Sequence, residues 1–181
     1  MDADKLAQLF KLQTFLFGNF PAGIVIIRNG YLVCEHHTFM SLATSRYDIW
    51  SCTKSLTGLA WGLLLDDFEN DRQTHDSGQI VDLDTPACSL IPEAYPPSDL
   101  QKEWITIRHL LTMTSGIAGE SMGVYGIPTT TGSCPFEHAL GRCPNRYGKS
   151  VDQLATKPGT KWDYSDPAMA LLSLIFANIA G

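Results

Sequence analysis

The pattern of apolar and polar positions at the start of the chain predicts a helix followed by a β-hairpin. One face of the helix recurs at helical spacing, at Leu6, Leu9, Phe10 and Gln13. Two β-rich runs then follow, Ala22–Arg28 and Tyr31–His36, with Asn29-Gly30 between them. Because both intervening residues tolerate positive φ, the pair indicates a tight turn between antiparallel strands.

A second helix is predicted over Ser51–Leu65 (SCTKSLTGLAWGLLL), because its apolar residues follow helical spacing. These residues are Leu56, Leu59, Ala60, Leu63 and Leu64. We expect the acidic stretch that begins at Asp66 to end this helix and to lie on the surface.

Three later segments also have a recognisable pattern. Gly78–Pro86 indicates a turn and a short extended piece, Ile105–Met113 a helix with Thr106 as its cap, and Pro167–Gly181 a last helix. Residues 117–161 are rich in Gly, Pro, Thr and Ser, which predicts a long irregular region of the kind that often carries function.

The composition is that of a globular chain rather than of a nucleic-acid-binding or membrane-spanning one. Of 181 residues, 44% are hydrophobic and 18% charged. The formal net charge of −6 disfavours a nucleic-acid partner, which usually requires a basic face. The apolar run Met169–Ala180 is shorter than the ~20 residues of a membrane span. No export signal is recognised, so the location is cytoplasmic by default, with secretion or a periplasmic location as alternatives.

Cysteine and histidine form no standard metal or disulfide pattern. The cysteines are odd in number and scattered: Cys34, Cys52, Cys88, Cys134 and Cys143. Cys134 and Cys143 enclose His138, but their spacing matches no standard zinc motif, and free thiols or one loop disulfide fit better. We expect neither a metal nor a cofactor, and the sequence does not give the oligomeric state.

Ser51 and Lys54 are the first candidates for chemistry. A serine in the first turn of a helix lies at the positive end of the helix dipole, and a lysine three residues later lies on the same face. An amine beside a hydroxyl can accept its proton and so activate the serine. The alternative is an N-cap serine followed by a surface lysine, which the almost wholly apolar helix behind the pair makes less attractive.

Tyr164 is a candidate partner much later in the chain. It lies in Pro158–Asp166 (PGTKWDYSD), a Gly- and Pro-flanked loop before the last helix, from which its hydroxyl can point into a cleft. The alternative is a tyrosine that packs the start of the helix, with Ser165 or Asp166 as the N-cap. The Gly-x-Ser-x-Gly pattern at Gly119–Gly123 is interpreted as a loop, because a nucleophile of that kind follows a strand and precedes a helix.

Four segments, in order along the chain, resemble the family of serine β-lactamases and penicillin-binding D,D-peptidases, and most of all its class C β-lactamase and esterase branch. They are Ser51–Gly58, Gly78–Pro86, Ile105–Gly116 and Pro158–Asp166. The resemblance implies an α+β, β-lactamase/transpeptidase-like fold. It also implies a serine hydrolase that acts through an acyl-enzyme on a small-molecule ester or amide.

The same resemblance implies roles for matching residues. Ser51 would be the acylated nucleophile and its backbone N–H one oxyanion donor, while Lys54 and Tyr164 would share the base and proton-shuttle work. Asp166 stands where the family motif has Asn, and an ionised Asp cannot donate an amide hydrogen bond to substrate. If Asp166 reaches Lys54, it keeps the lysine charged, so we predict that it modulates the site and that Tyr164 does more of the deprotonation.

The family's third motif, on a later strand, has no counterpart after Tyr164. We therefore interpret 1–181 as one incomplete domain and as the N-terminal part of a larger protein, with a hairpin at 22–36, the nucleophile helix at 51–65, and a helical and loop region at 66–181. We expect the isolated chain to be poorly stable and nearly inactive. The alternatives to a hydrolase are a non-catalytic ligand-binding or sensor module on the same scaffold and an inactive truncated product.

Overall fold

A computed structural model describes residues 3–17, 22–38, 44–70, 72, 78, 80–124, 135–145 and 147–180. The chain divides into two compact units, Met1–Trp50 and Ser51–Gly181. Cys134, Gly181, Gln79 of the predicted extended piece and residues 125–134 of the irregular region lie outside the described residues. The single domain predicted over 1–181 stays a prediction.

The first unit contains the predicted helix and hairpin. Helix α1 (Ala3–Phe17) precedes the antiparallel strands β1 (Gly23–Arg28) and β2 (Tyr31–His37). The turn residues Asn29 and Gly30 have φ of 51° and 79°, the left-handed conformation that their types predict.

Within this unit, α1 contributes an aromatic contact and a buried amide. The ring of Phe10 stacks on that of His36 with a centroid distance of 4.4 Å. Gln13 is 2% exposed, which agrees with its predicted place on the inward face of α1. The strand register pairs Ile26 with Cys34 and Ile27 with Leu32, so the ladder is irregular at Val33.

The second unit is mainly helical. Its α-helices are α2 (Cys52–Glu69), α3 (Ile107–Leu111), α4 (Pro135–Ala139) and α5 (Asp166–Ala180). Short 3₁₀ turns lie at Ala87–Leu90, Pro92–Ala94, Leu100–Trp104 and Glu120–Met122. Helix α5 packs against α2, α3 and α4, so it forms the centre of this unit.

Helix α2 is longer than predicted, and the predicted end at the acidic residues is wrong. It continues through Asp66 and Asp67 to Glu69, because Phe68 extends the buried stripe by another turn and is 3% exposed. Arg72 pairs with both Asp66 and Asp67 just beyond the end of the helix. The inward face therefore outweighs the local acidic signal.

The buried face of α2 also differs from the predicted one. Trp61, Leu64 and Phe68 face the core, whereas the other leucines of the helix are more than half exposed: Leu56 at 56%, Leu59 at 63% and Leu63 at 63%. Sequence spacing gave two adjacent apolar stripes, and in the described residues only one of them is covered.

The contact between α2 and α5 positions the starts of both helices. Trp61 is fully buried and meets Phe176 edge to face, with ring centroids 5.8 Å apart. On α5, Leu172 and Ile175 are fully buried, and each such side chain contributes about 1.5–3 kcal/mol through removal from water.

Helix α3 begins as predicted and is shorter than the pattern suggested. The Thr106 side chain accepts a hydrogen bond from the His109 N–H, and the His109 ring accepts one from the Thr106 N–H. The helix ends at Leu111, and Met113 beyond it has a left-handed φ of 56°. The irregular region contains order of its own, since α4 and the turn at Glu120–Met122 lie within it.

Candidate active site

Ser51 stands immediately before helix α2, and its side chain is not used for capping. It is the N-cap residue, yet within the described part of the chain its hydroxyl makes no capping hydrogen bond. The oxygen is instead approached by two donors, Lys54 Nζ at 3.2 Å and Tyr164 Oη at 2.7 Å. The plain N-cap alternative therefore does not describe this serine.

Lys54 lies one helical turn after Ser51 and is held in an ion pair. Its Nζ atom is 2.6 Å from Asp166 Oδ1, with the two side chains 19% and 17% exposed. The same ammonium lies 4.8 Å from the centre of the Tyr164 ring, within the range of a cation–π contact. Lys54 thus touches every other polar side chain of the cluster.

The pKa of Lys54 lies above its usual value. Partial burial alone would lower this pKa, but the hydrogen bonds and opposite charges of Asp166 and Tyr164 outweigh the burial. Lys54 is therefore an ammonium ion near neutral pH. A protonated amine cannot accept a proton from Ser51, although it stabilises negative charge beside it.

Tyr164 reaches Ser51 from the loop before α5. Ser165, which is 1% exposed, caps the helix by accepting a hydrogen bond from the Ala168 N–H at 3.2 Å. Asp166 is then the first residue of α5. Because Ser165 takes the capping role, Tyr164 and Asp166 on either side of it are left to face Ser51 and Lys54.

The loop that carries Tyr164 is tied by backbone hydrogen bonds to the segment after α3. The Gly159 N–H donates to Thr114 O at 2.8 Å, and the Asp163 N–H donates to Met113 O at 2.9 Å. A Cβ atom at Gly159 would lie 3.0 Å from His109 Nε2, so the loop passes close to the capping histidine. His109 therefore has a structural role at this junction, as the sequence suggested.

Two sequence features turn out to be remote from this chemistry. Ser121, within the Gly-x-Ser-x-Gly pattern, lies on a 3₁₀ turn and donates its hydroxyl to Asp163 at 2.8 Å. His138 is buried, and its Nδ1 lies 2.9 Å from the carbonyl oxygen of Cys143. No disulfide joins the described cysteines, and the described residues contain no cluster of His, Cys, Asp or Glu arranged to hold a metal.

Sequence reasoning missed two polar groups of this unit. Asp163 binds the turn after Gly119, and Lys102 is buried with carbonyl oxygens as partners. Their partners are remote in sequence, so no local pattern gives these groups away. None of the described helices is both long and apolar enough to cross a bilayer.

The cluster has the components of a serine nucleophile site. A hydroxyl at a helix N-terminus, a phenol within hydrogen-bond distance and a cation that contacts both can lower the barrier to forming a serine alkoxide. The predicted site residues Ser51, Lys54, Tyr164 and Asp166 are thus brought together, and their chemical roles are a matter for experiment.

Comparison with known proteins agrees with this architecture. In solved structures, the chain resembles a Bacteroides dorei DSM 17855 protein assigned as a β-lactamase, with a TM-score of 0.68 and 16% identity over 99% of the chain. It also resembles the octameric penicillin-binding protein homologue from Pyrococcus abyssi, with a TM-score of 0.66 and 22% identity over 100% of the chain. At these identities the likeness concerns the fold, which is β-lactamase/transpeptidase-like.

A sequence relative gives the same picture of partial length. Protein flp of Staphylococcus aureus (strain NCTC 8325 / PS 47) is 27% identical over 172 residues, which is 90% of this chain and 30% of that protein. The chain covers 47% and 40% of the two solved structures. It therefore spans less than half of the length of these relatives. The profile of the Beta-lactamase family matches residues 22–181, and the chain belongs to that family.

Proposed function

We propose that this protein is a serine hydrolase in which Ser51 is acylated by a small-molecule ester or amide and then released by water. The observation that carries the proposal is the convergence of two donors on one hydroxyl oxygen, Tyr164 Oη at 2.7 Å and Lys54 Nζ at 3.2 Å. A serine used only for capping has no need of either contact.

Tyr164 is the proposed proton acceptor. A phenolate at this position accepts the Ser51 proton while the Ser51 oxygen forms a bond to the substrate carbonyl carbon. The resulting oxyanion receives a hydrogen bond from the Ser51 backbone N–H at the start of α2. Tyr164 then returns the proton to the leaving group as the acyl–oxygen or acyl–nitrogen bond breaks, and water completes the cycle by attacking the acyl-enzyme.

Lys54 acts in this scheme as a fixed cation and not as the base. Its raised pKa and its 2.6 Å contact with Asp166 support this assignment. A positive charge beside both oxygens favours the phenolate and the developing alkoxide. Asp166 modulates the site by maintaining that charge.

A covalent label tests the proposal on the full-length protein. A fluorophosphonate should modify Ser51, and trypsin cleavage after Arg46 and Lys54 then yields the peptide 47–54, in which Ser51 is the single serine. Ser51→Ala should abolish the label, whereas Ser55→Ala, on the exposed side of the next peptide, should retain it. An adduct on any other serine would refute the assignment.

The second candidate is a ligand-binding or sensor module that is acylated but turns over slowly. The Lys54–Asp166 ion pair favours it, because a fully charged lysine cannot activate the water that releases the acyl group. Stoichiometric labelling of Ser51 without steady-state hydrolysis of a p-nitrophenyl ester would support the module, and sustained hydrolysis would support the hydrolase.

A further inference from the structure

We propose that the Asp163 carboxylate is a positioning residue that fixes the phenol of Tyr164 at Ser51. The inference rests on the proposed function, in which Tyr164 exchanges a proton with Ser51. Asp163 acts through the backbone of its neighbour and through the turn Glu120–Met122, so it is distinct from the groups that contact the reacting atoms.

The carboxylate of Asp163 binds the start of that turn with three hydrogen bonds. Its Oδ2 atom accepts from the Gly119 N–H at 2.9 Å and from the Ser121 hydroxyl at 2.8 Å, and its Oδ1 atom accepts from the Ser121 N–H at 3.1 Å. An ionised carboxylate accepts at both oxygens, whereas the amide of an asparagine accepts at one and donates at the other. The arrangement therefore requires Asp rather than Asn.

The backbone on each side of the Tyr164 side chain is tied to a different segment. Before it, the Asp163 N–H donates to Met113 O at 2.9 Å; after it, Tyr164 O accepts from the Glu120 N–H at 2.8 Å. The phenol oxygen stands at the end of a long, rigid side chain. A small rotation of this backbone therefore moves the hydroxyl away from Ser51, and a misplacement of about 1 Å can lower a rate about 100-fold.

Two unusual backbone features support the importance of this contact. A Cβ atom at Gly119 would lie 2.1 Å from Tyr164 O and 3.1 Å from the Asp163 carboxyl carbon, so only glycine permits the approach. Met113 has a φ of 56°, a left-handed conformation that costs of order 1–3 kcal/mol in a residue with a side chain. Its carbonyl is the acceptor for Asp163.

A purely structural clamp is the competing explanation, and Asp99 provides a matched control for it. Asp99 also holds two backbone N–H groups, those of Gln101 at 2.9 Å and Leu154 at 3.0 Å. It makes these contacts at the turn Leu100–Trp104, not at the loop that carries Tyr164. Asp99→Asn should lower stability without changing the position of the phenol.

The test compares Asp163→Asn with Asp99→Asn in the full-length protein. The measurements are the second-order rate constant for fluorophosphonate modification of Ser51, the hydrogen-exchange rate of the Glu120 amide, and the Tm. We expect Asp163→Asn to slow the modification by about tenfold or more and to accelerate exchange at Glu120. Asp99→Asn should lower the Tm comparably and leave both rates within about twofold of wild type.

Equal slowing in both variants, or unchanged exchange at Glu120 in Asp163→Asn, would overturn the inference. If the wild-type Ser51 does not react, the proposed function fails by itself, and the Glu120 exchange rate still decides whether Asp163 holds Tyr164. If Asp163→Asn does not fold, Ser121→Ala removes one donor to Asp163 and should slow the modification about threefold. A wild-type rate in that variant would contradict the inference.

Discussion

The phenol oxygen of Tyr164 lies 2.7 Å from the hydroxyl oxygen of Ser51, although 113 positions separate the two residues in the sequence. The contact exists because α2 and α5 pack along Trp61 and Phe176, which places the starts of the two helices side by side. The site is thus assembled by the core of the unit 51–181 and depends on that core.

Replacement of Asp166 tests whether Lys54 works as a cation. Asp166 raises the pKa of Lys54, so Asp166→Asn should lower it and make the lysine neutral at a lower pH. The alkaline limb of the pH profile for Ser51 modification should then move to lower pH, because the neutral lysine no longer stabilises the phenolate and the alkoxide.

The control for this variant is Asp84→Asn, which removes the same charge from an exposed ion pair with Arg108. It should leave the limb in place, since solvent screens an exposed charge. A rate near pH 7 that rises in Asp166→Asn would show that neutral Lys54 is the base and would contradict the scheme.

A glycine pair tests the packing around the site. Gly116 has a φ of 80°, and a Cβ atom there would lie 2.1 Å from Thr156 O. Gly116→Ala should therefore lower the free energy of unfolding by about 2 kcal/mol or more, because both the conformation and the space exclude a side chain. Urea unfolding measures the change.

Gly62 serves as the control, since it lies on the exposed side of α2 with open space around its Cβ position. Gly62→Ala should raise the free energy of unfolding by about 0.5–1 kcal/mol, because alanine loses less conformational freedom in a helix. Wild-type stability of Gly116→Ala would refute the packing described at Thr156.

Lys102 predicts how stability changes at alkaline pH. Its ammonium is 5% exposed and donates to Ser98 Oγ at 2.8 Å and to Val151 O at 2.7 Å. Burial lowers the pKa of Lys102 from 10.5 to about 8, and the nearby carboxylates of Asp99 and Asp152 compensate only in part.

The unfolded chain therefore binds a proton at Lys102 between pH 8 and 10.5 that the folded protein has released. The free energy of unfolding should rise with pH through this window. Lys102→Met lacks this contribution, so the Tm of the wild type minus that of Lys102→Met should grow from pH 7.5 to pH 10 in thermal scans. A difference that shrinks would mean that the acceptors favour the ammonium form.

The elements with strong local patterns were predictable from sequence. Asn29-Gly30 sets the hairpin turn through its φ preferences, and Thr106 starts α3 as a cap. The chemistry of Ser51 and Lys54 follows from their spacing in one helical turn. The end of α2 was not predictable in this way, because burial of Phe68 outweighs the acidic residues around it.

Contacts between remote segments could not be inferred from local patterns. Asp163 and Ser121 are 42 positions apart, and Lys102 and Val151 are 49 apart. Each interaction depends on how loops cross above the core, and polar residues in loops give no period from which to infer a partner. The Lys54–Asp166 pair was foreseen only as a condition, which the 2.6 Å distance meets.

The most direct test of the proposed site is the rate of Ser51 modification by a fluorophosphonate in Tyr164→Phe, compared with the wild type and with Tyr95→Phe. Tyr95 is 52% exposed and serves as a control for the loss of a phenol hydroxyl. The account predicts that Tyr164→Phe slows modification by about 100-fold or more, as expected for the loss of a general base, and that Tyr95→Phe reacts at the wild-type rate. A near-wild-type rate in Tyr164→Phe, with an unchanged Tm, would contradict it.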